Sequence, residues 1–198
     1  MAVLTLALGI GATTAIFSVV NGALLQPPPF RDPSRLVAVL ETRALGNSQS
    51  LLVSPEHFEE WARRNSVFEG MSAVFNCYFR TENNGDPHLV TGACASANLF
   101  PMLGVKPILG RAFNAEEDRP GNNTFVMLSY GYWQSQFHGD PNVIGKTLRR
   151  TATNAEYSII GVHPPEFQLG SGDYSVWAPY GDAPRVLYRD EHAMLAFA

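Results

Sequence analysis

MSAVFNCYFRTENNGDPHLVTGACAS, residues 71–96, places Asn84-Gly85 between two runs of apolar, aromatic and β-branched residues. Asn-Gly supplies the positive φ that a tight two-residue hairpin turn requires. Segments 71–80 and 87–96 are therefore predicted to pair antiparallel around Asn83-Asn84-Gly85-Asp86. Alternate residues of a strand face opposite sides. Of Phe75, Tyr78 and Phe79, at least one face is thus expected to pack into a core, and the rest to be open to a substrate or partner surface. A turn centred near Gly85 sets Cys77 and Cys94 opposite or diagonal to each other. Outside the cytoplasm such a pair can be disulfide-bonded; the alternative is two half-buried small residues.

Outward from the hairpin, Ser54-Pro55-Glu56 reads as a helix start, with a hydroxyl cap, a proline in the first turn and an acid at the positive end of the dipole. Phe58, Trp61 and Ala62 are expected to form its apolar stripe. Glu59–Arg63 and Glu60–Arg64 are expected as i,i+4 pairs on the outer face. Residues 35–41 read as a strand and 42–53 as a loop. After the hairpin, Asn98 is expected to cap a short helix that Gly104 stops. A strand over 125–128 leads to a helix over 129–138 with Tyr130, Trp133 and Phe137 buried and Gly139 as its stop. Residues 147–150 and 157–162 read as strands, and 176–179 as a last extended piece.

At the N-terminal end, LALGIGATTAIFSVVNGALLQPPPF (6–30) contains no charged residue. Gly9-Ile10-Gly11 has the spacing of a dinucleotide loop, but Thr14 stands where its third glycine belongs, and no ribose-binding acid follows. No basic residue precedes the run, as a signal peptide requires. About 20 apolar residues cross a bilayer, and Ala2 to Leu25 meets that length. The small residues Gly9, Gly11, Ala12, Ala15 and Ser18 admit close helix packing. The segment is read as a membrane span over residues 1–26.

The other residues of this 198-residue chain suffice for one sizeable domain or two small lobes. The net charge of −4, with no basic cluster, argues against a nucleic-acid partner. Two cysteines do not make a structural zinc site. The acids Glu116, Glu117 and Asp118 lack the alternating ligands and central glycine of a calcium loop and read as solvated surface.

Catalytic motifs are incomplete. Met127-Leu-Ser-Tyr-Gly131 approaches a nucleophile elbow, but Met127 replaces its first glycine. Asp140 and His163 would complete a triad in the right order, Asp173 in the wrong one; the simpler reading of Ser129 is a helix cap. His57, His88, His138, His163 and His192 form no HExxH motif and no close pair. No catalytic, cofactor or metal residue is assigned.

Taken in order, six segments resemble a known family. They are VLTLALGIGATTAIFSVVNGALL (3–25), PPPFRDPSRLV (27–37), SANLFPMLGVKPILGRAF (96–113), LSYGYWQSQFHGDPNVIGKTL (128–148), YSIIGVHPPEF (157–167) and VWAPY (176–180). Together they resemble the MacB-like periplasmic core domain of ABC-transporter-type permeases, and within it the duplicated permeases abundant in acidobacteria. The resemblance implies an α+β architecture: a transmembrane helix over 1–26, then a two-lobed mixed α/β extracytoplasmic domain over 27–198. It implies a noncatalytic role in an efflux or export permease of the inner membrane, passing motion driven by a separate or fused ABC ATPase across the bilayer, and a dimer in which two core domains face each other. A membrane-anchored binding or sensor module without transport is the alternative. The basic segment that usually precedes the first span is absent, and so are the FtsX-type helices that follow the domain. Residues 192–198 resemble the start of a strand. The chain thus reads as an N-terminal fragment, with an unprotected sheet edge and low stability expected of an isolated 31–198 segment.

Overall fold

In a computed structural model of the chain, residues 9–11, 13–14, 17, 30–42, 50–83, 86–122, 124–150, 155–170, 173–182 and 195–198 are described. The hairpin is its longest element. Strand β4 (Ser72–Asn83) pairs antiparallel with β5 (Asp86–Ala95), and Asn83 faces Asp86 across the two-residue connection. Both strands run beyond the predicted limits towards the turn. Phe75 faces Cys94 and Cys77 faces Gly92, so the two cysteines are diagonal neighbours on one face. They are disulfide-bonded, with Cα atoms 5.7 Å apart. That face also buries Phe79 and Val90, whereas Tyr78 and Leu89 on the opposite face are exposed. Of the three aromatics, only Tyr78 is exposed.

The bridge closes a loop with a sequence separation of 17. Closing a loop of that size restricts the unfolded chain by about 3 kcal/mol. Cys77→Ala combined with Cys94→Ala is expected to lower the melting temperature clearly, and a reductant to lower that of the unaltered chain alone. Equal melting of the two proteins without reductant would show that the bridge contributes nothing.

Around the hairpin the described strands form one nine-stranded sheet in the order β1-β11-β4-β5-β10-β7-β9-β6, with β8 also on β9. The further strands are β1 (Ala38–Val39), β6 (Leu109–Gly110), β7 (Phe125–Leu128), β8 (Thr147–Arg150), β9 (Ala155–Val162), β10 (Val176–Pro179) and β11 (Leu195–Phe197). The sheet is mixed: β10 runs parallel to β5, and β7 parallel to β9, while the other pairs are antiparallel. A separate ribbon joins β2 (Glu41–Thr42) to β3 (Ser50–Leu51). The single strand expected over 35–41 is thus two short strands serving different sheets. The loop expected over 42–53 contains β3, and its residues 43–49 lie outside the described set. The C-terminal strand is present, but it sits between β1 and β4 rather than at an edge. At the sheet margins β1 and β6 have two residues each, and β8, on the same flank of β9 as β6, has four. The mixed α/β class agrees with expectation; among the described residues, strand pairing draws the nine-stranded sheet and the separate two-stranded ribbon.

Each sheet face carries a core. The first gathers Phe75, Phe79, Val126, Leu128, Tyr157 and Ile159 under two helices, α1 (Pro55–Arg64) and α3 (Tyr130–Phe137). The second places Val74, Ala93, Met127, Ile160 and Trp177 against α2 (Leu99–Leu103). The start of α1 is as predicted, since the Ser54 hydroxyl accepts from the His57 amide. Its stripe is narrower: Phe58 is buried and Trp61 half-buried, but Ala62 is exposed. Glu60 pairs with both Arg63 and Arg64. Asn98 does not cap α2; its amide donates to the Met71 carbonyl at 2.8 Å and ties α2 to the foot of β4. Gly104 stops α2 in the left-handed region, as expected, and α3 ends with both His138 and Gly139 there.

Of the apolar N-terminal segment, residues 9–11, 13, 14 and 17 are described, and all are helical. The Thr13 and Thr14 hydroxyls donate to the carbonyls of Gly9 and Ile10 at 2.8 Å, so their polar groups are satisfied within the helix. Among the described residues no helix is long and apolar enough to cross a membrane. The rest of the expected span over 1–26 lies outside the described residues.

Candidate functional site

A cleft of about 590 Å³ opens between the first turn of α3 and residues 164–170 and 173–177; Ser129, Tyr132, Phe167, Asp173, Tyr174 and Trp177 are among its lining. Two of the residues weighed as a triad, Ser129 and Asp173, therefore share a cavity. Their chemistry does not follow from that. The Ser129 hydroxyl accepts from the Tyr132 amide at 3.2 Å, and its own amide donates to the Ser175 carbonyl at 2.9 Å. This is a helix cap, as the simpler sequence reading expected.

His163 ends the β9 ladder, its amide bonded to the Leu128 carbonyl at 2.9 Å, and its ring is only 1% exposed. The imidazole packs against Phe100 and Phe167, each with ring centroids at 4.7 Å, and against Trp177 at 5.5 Å. Neither ring nitrogen has a hydrogen-bond partner among the described residues. Burial pushes its pKa down to about 3, so the ring is neutral at pH 7. Asp140 lies elsewhere: it accepts from the Asn142 amide at 2.9 Å and pairs with Lys146. The serine, histidine and carboxylates thus form no hydrogen-bonded relay, which acyl transfer through Ser129 would require. Ser129→Ala is expected to cost about 1 kcal/mol of stability through the lost cap. An unchanged melting temperature would show that the cap is idle.

The acidic cluster is not the solvated surface that the sequence suggested. Glu117 is 6% exposed; its carboxylate takes both terminal nitrogens of Arg111, at 2.5 and 2.8 Å, and the Asn114 amide at 3.0 Å. The Arg111 hydrogen bond holds the Glu117 carboxyl below its ordinary range. Asp118 accepts from the amides of Ala97 and Gly181, both at 3.0 Å, and joins the start of α2 to the end of β10. Only Glu116 remains exposed, paired with Arg119. Asp118 thus staples distant segments, whereas Glu117 is held by residues within six positions. Sequence spacing gave no sign of the Asp118 contacts, because its partners lie 21 and 63 residues away.

The histidines are likewise dispersed. His57 bonds Glu41 at 2.8 Å and stacks on Trp61, which fastens β2 to α1. His88 lies on the exposed side of β5, His138 ends α3, and His192 falls outside the described residues. No group of three or more His, Cys, Asp or Glu residues among the described ones is arranged to hold a metal ion.

Comparison with known proteins gives a consistent result. No curated protein matches the sequence. Among solved structures, the periplasmic region of MacB from Actinobacillus actinomycetemcomitans superposes with a TM-score of 0.59 at 11% identity, over 83% of this chain and 74% of that one. A domain of a putative permease protein from Porphyromonas gingivalis gives 0.61 at 18% identity, over 85% and 73%. The extracellular domain of the noncanonic ABC-type transporter YknZ from Gram-positive bacteria gives 0.54 at 11%, over 74% and 72%. At such identities these likenesses establish the fold alone. The sequence model for the MacB-like periplasmic core domain matches residues 1–197. With nearly every residue inside that match, the chain belongs to the MacB-like periplasmic core domain family.

Proposed function

We propose that this chain is the extracytoplasmic part of an ABC-type export permease. Residues 1–26 form a single span of the inner membrane, and residues 27–198 form a partial MacB-like core domain outside the cytoplasm. An ABC ATPase, separate or fused, hydrolyses ATP on the cytoplasmic side. The span carries that motion outward, and two core domains face each other as a dimer. The domain itself is noncatalytic and takes no cofactor or metal.

The observation that carries this reading is the extent of the family match, which takes in the apolar N-terminal segment as well as the core. The disulfide between Cys77 and Cys94 supports an oxidising compartment. Three tests follow in the native host. An alkaline phosphatase fused after residue 198 is expected to be active, the chain to resist carbonate extraction from membranes, and an ABC ATPase to co-purify with it. A fusion active only as a cytoplasmic reporter would overturn the topology. Recovery with a signalling output domain and no ATPase would favour a sensor.

A further inference from the structure

We infer that the turn carrying Val67 and Phe68 is a foot that seats the domain on the lipid bilayer, at the headgroup boundary beside its own span. The inference rests on the proposed span and adds a partner surface to it.

Val67 is 84% exposed, more than any other large apolar side chain among the described residues, and Phe68 beside it is 39% exposed. They stand on a turn built to hold them there. The Asn65 side-chain oxygen accepts from the Val67 amide at 3.1 Å and the Phe68 amide at 2.9 Å, and its amide nitrogen donates to the Phe68 carbonyl at 2.8 Å. Three hydrogen bonds from one side chain thus fix two apolar side chains facing water. Holding such groups exposed gains nothing in the free domain and suits a surface that removes them from water.

The occupant follows from where the chain enters the domain. Val67 and Phe68 line a cleft of about 420 Å³ together with Arg31, Arg35, Met102 and Ala198. Arg31 is held firmly, its amide bonded to the Leu103 carbonyl at 2.8 Å. The apolar run proposed as the span ends only a few residues earlier, with Leu25 followed by Gln26 and three prolines. Six residues reach at most about 20 Å, so the cleft stays within that distance of the point where the span leaves the bilayer. The hairpin carries Leu89 away from the foot of β4. Leu89 faces Arg80, eight residues beyond Ser72 at the foot of β4, which is roughly 27 Å along an extended strand.

Charge on this face is close to balanced, with Arg31 beside Asp32 at 3.8 Å and Arg35 bonded to Glu69 at 3.2 Å. Seating therefore depends on the apolar pair, and zwitterionic lipid suffices.

The test uses the full chain in phosphatidylcholine nanodiscs carrying headgroup nitroxides, with a fluorophore on Val67→Cys, on Leu89→Cys or, as a span control, on Ile10→Cys with nitroxides deep in the acyl chains. Quenching at position 67 is expected to exceed that at position 89 at least threefold, by order of magnitude of the ~5–10 Å depth at which interfacial groups lie. Phe68→Cys is expected to behave like Val67→Cys. Quenching at position 10 with none above the position-89 level at 67 and 68 overturns the foot and leaves the span standing. Loss of quenching at position 10 overturns the span, and the foot with it. Label-to-label self-quenching at 67 that needs two chains per disc, without lipid quenching, assigns the turn to a second copy and also overturns the foot.

Discussion

Gly92→Val is expected to leave almost no folded protein. Gly92 lies in β5 with a partner strand on each side, opposite Cys77 of β4 and Val176 of β10. A Cβ there would come within 2.6 Å of the Phe79 ring and 2.7 Å of the Val176 carbonyl oxygen. The ring is wholly buried, and the carbonyl belongs to the backbone of a paired strand. Neither can move without opening the sheet. Overpacking of a filled core commonly costs about 1–3 kcal/mol; with backbone in the way the loss exceeds ~4 kcal/mol, a large share of the 5–15 kcal/mol typical of a whole domain. Gly92→Ala meets the same two neighbours and is expected to lie in the same direction. Gly131→Ala is the matched control: it has open space around its Cβ position and lies in α3, where alanine gains about 0.5–1 kcal/mol in helix propensity. Circular dichroism melts of the three variants check this. A Gly92→Ala chain melting with or above Gly131→Ala would disprove the packing reading.

The second large effect is acid lability through His163. In the unfolded chain its imidazole titrates near its ordinary 6.5, and in the folded domain at about 3. Between those values the unfolded state binds the extra proton, so stability rises with pH and is lost on acidification. Each unit below 6.5 costs about 1.4 kcal/mol until the folded value is reached. Lowering the pH from 7 to 4.5 is thus expected to remove about 2–3 kcal/mol through this residue alone. Carboxylates such as Glu117, held below its ordinary range by Arg111, add to acid lability lower in the scale. The difference between proteins isolates the histidine. His163→Leu keeps the ring pocket apolar and removes two buried nitrogens without partners, so it is expected to equal or exceed the parent at pH 7 and to melt with a flatter pH dependence. Parallel profiles for the two proteins would show that the ring does not titrate as its surroundings require.

What could be read in the sequence was what neighbouring residues settle among themselves. The Asn84-Gly85 signal pointed to the pairing of β4 with β5, and Ser54, Pro55 and Glu56 announced α1, because these signals act within a few positions. Several of the readings that changed involve partners far along the chain. Asn98 has the chemistry of a cap, yet its amide is drawn to the Met71 carbonyl. Asp118 resembles a surface acid, yet two amides from distant segments converge on it. The 35–41 run has the composition of one strand, but β1 pairs with β11 while β2 turns to β3. As for a site, the sequence was correct in reading Ser129 as a cap. It gave no hint that His163 would be walled in by Phe100, Phe167 and Trp177, since those rings come from three separate parts of the chain.

The placing of β11 between β1 and β4 has a consequence for biosynthesis. Residues 195–197 pair with 72–74 on one side and, through Ala196 and Phe197, with Val39 and Ala38 on the other. The flank of β4 therefore stays open from the time it is made until residue 197 has been translated. At elongation rates of about 5–20 residues per second, the wait is on the order of ten seconds. During that interval that flank of β4 offers an unpaired backbone to any neighbouring strand, until β11 arrives to cover it.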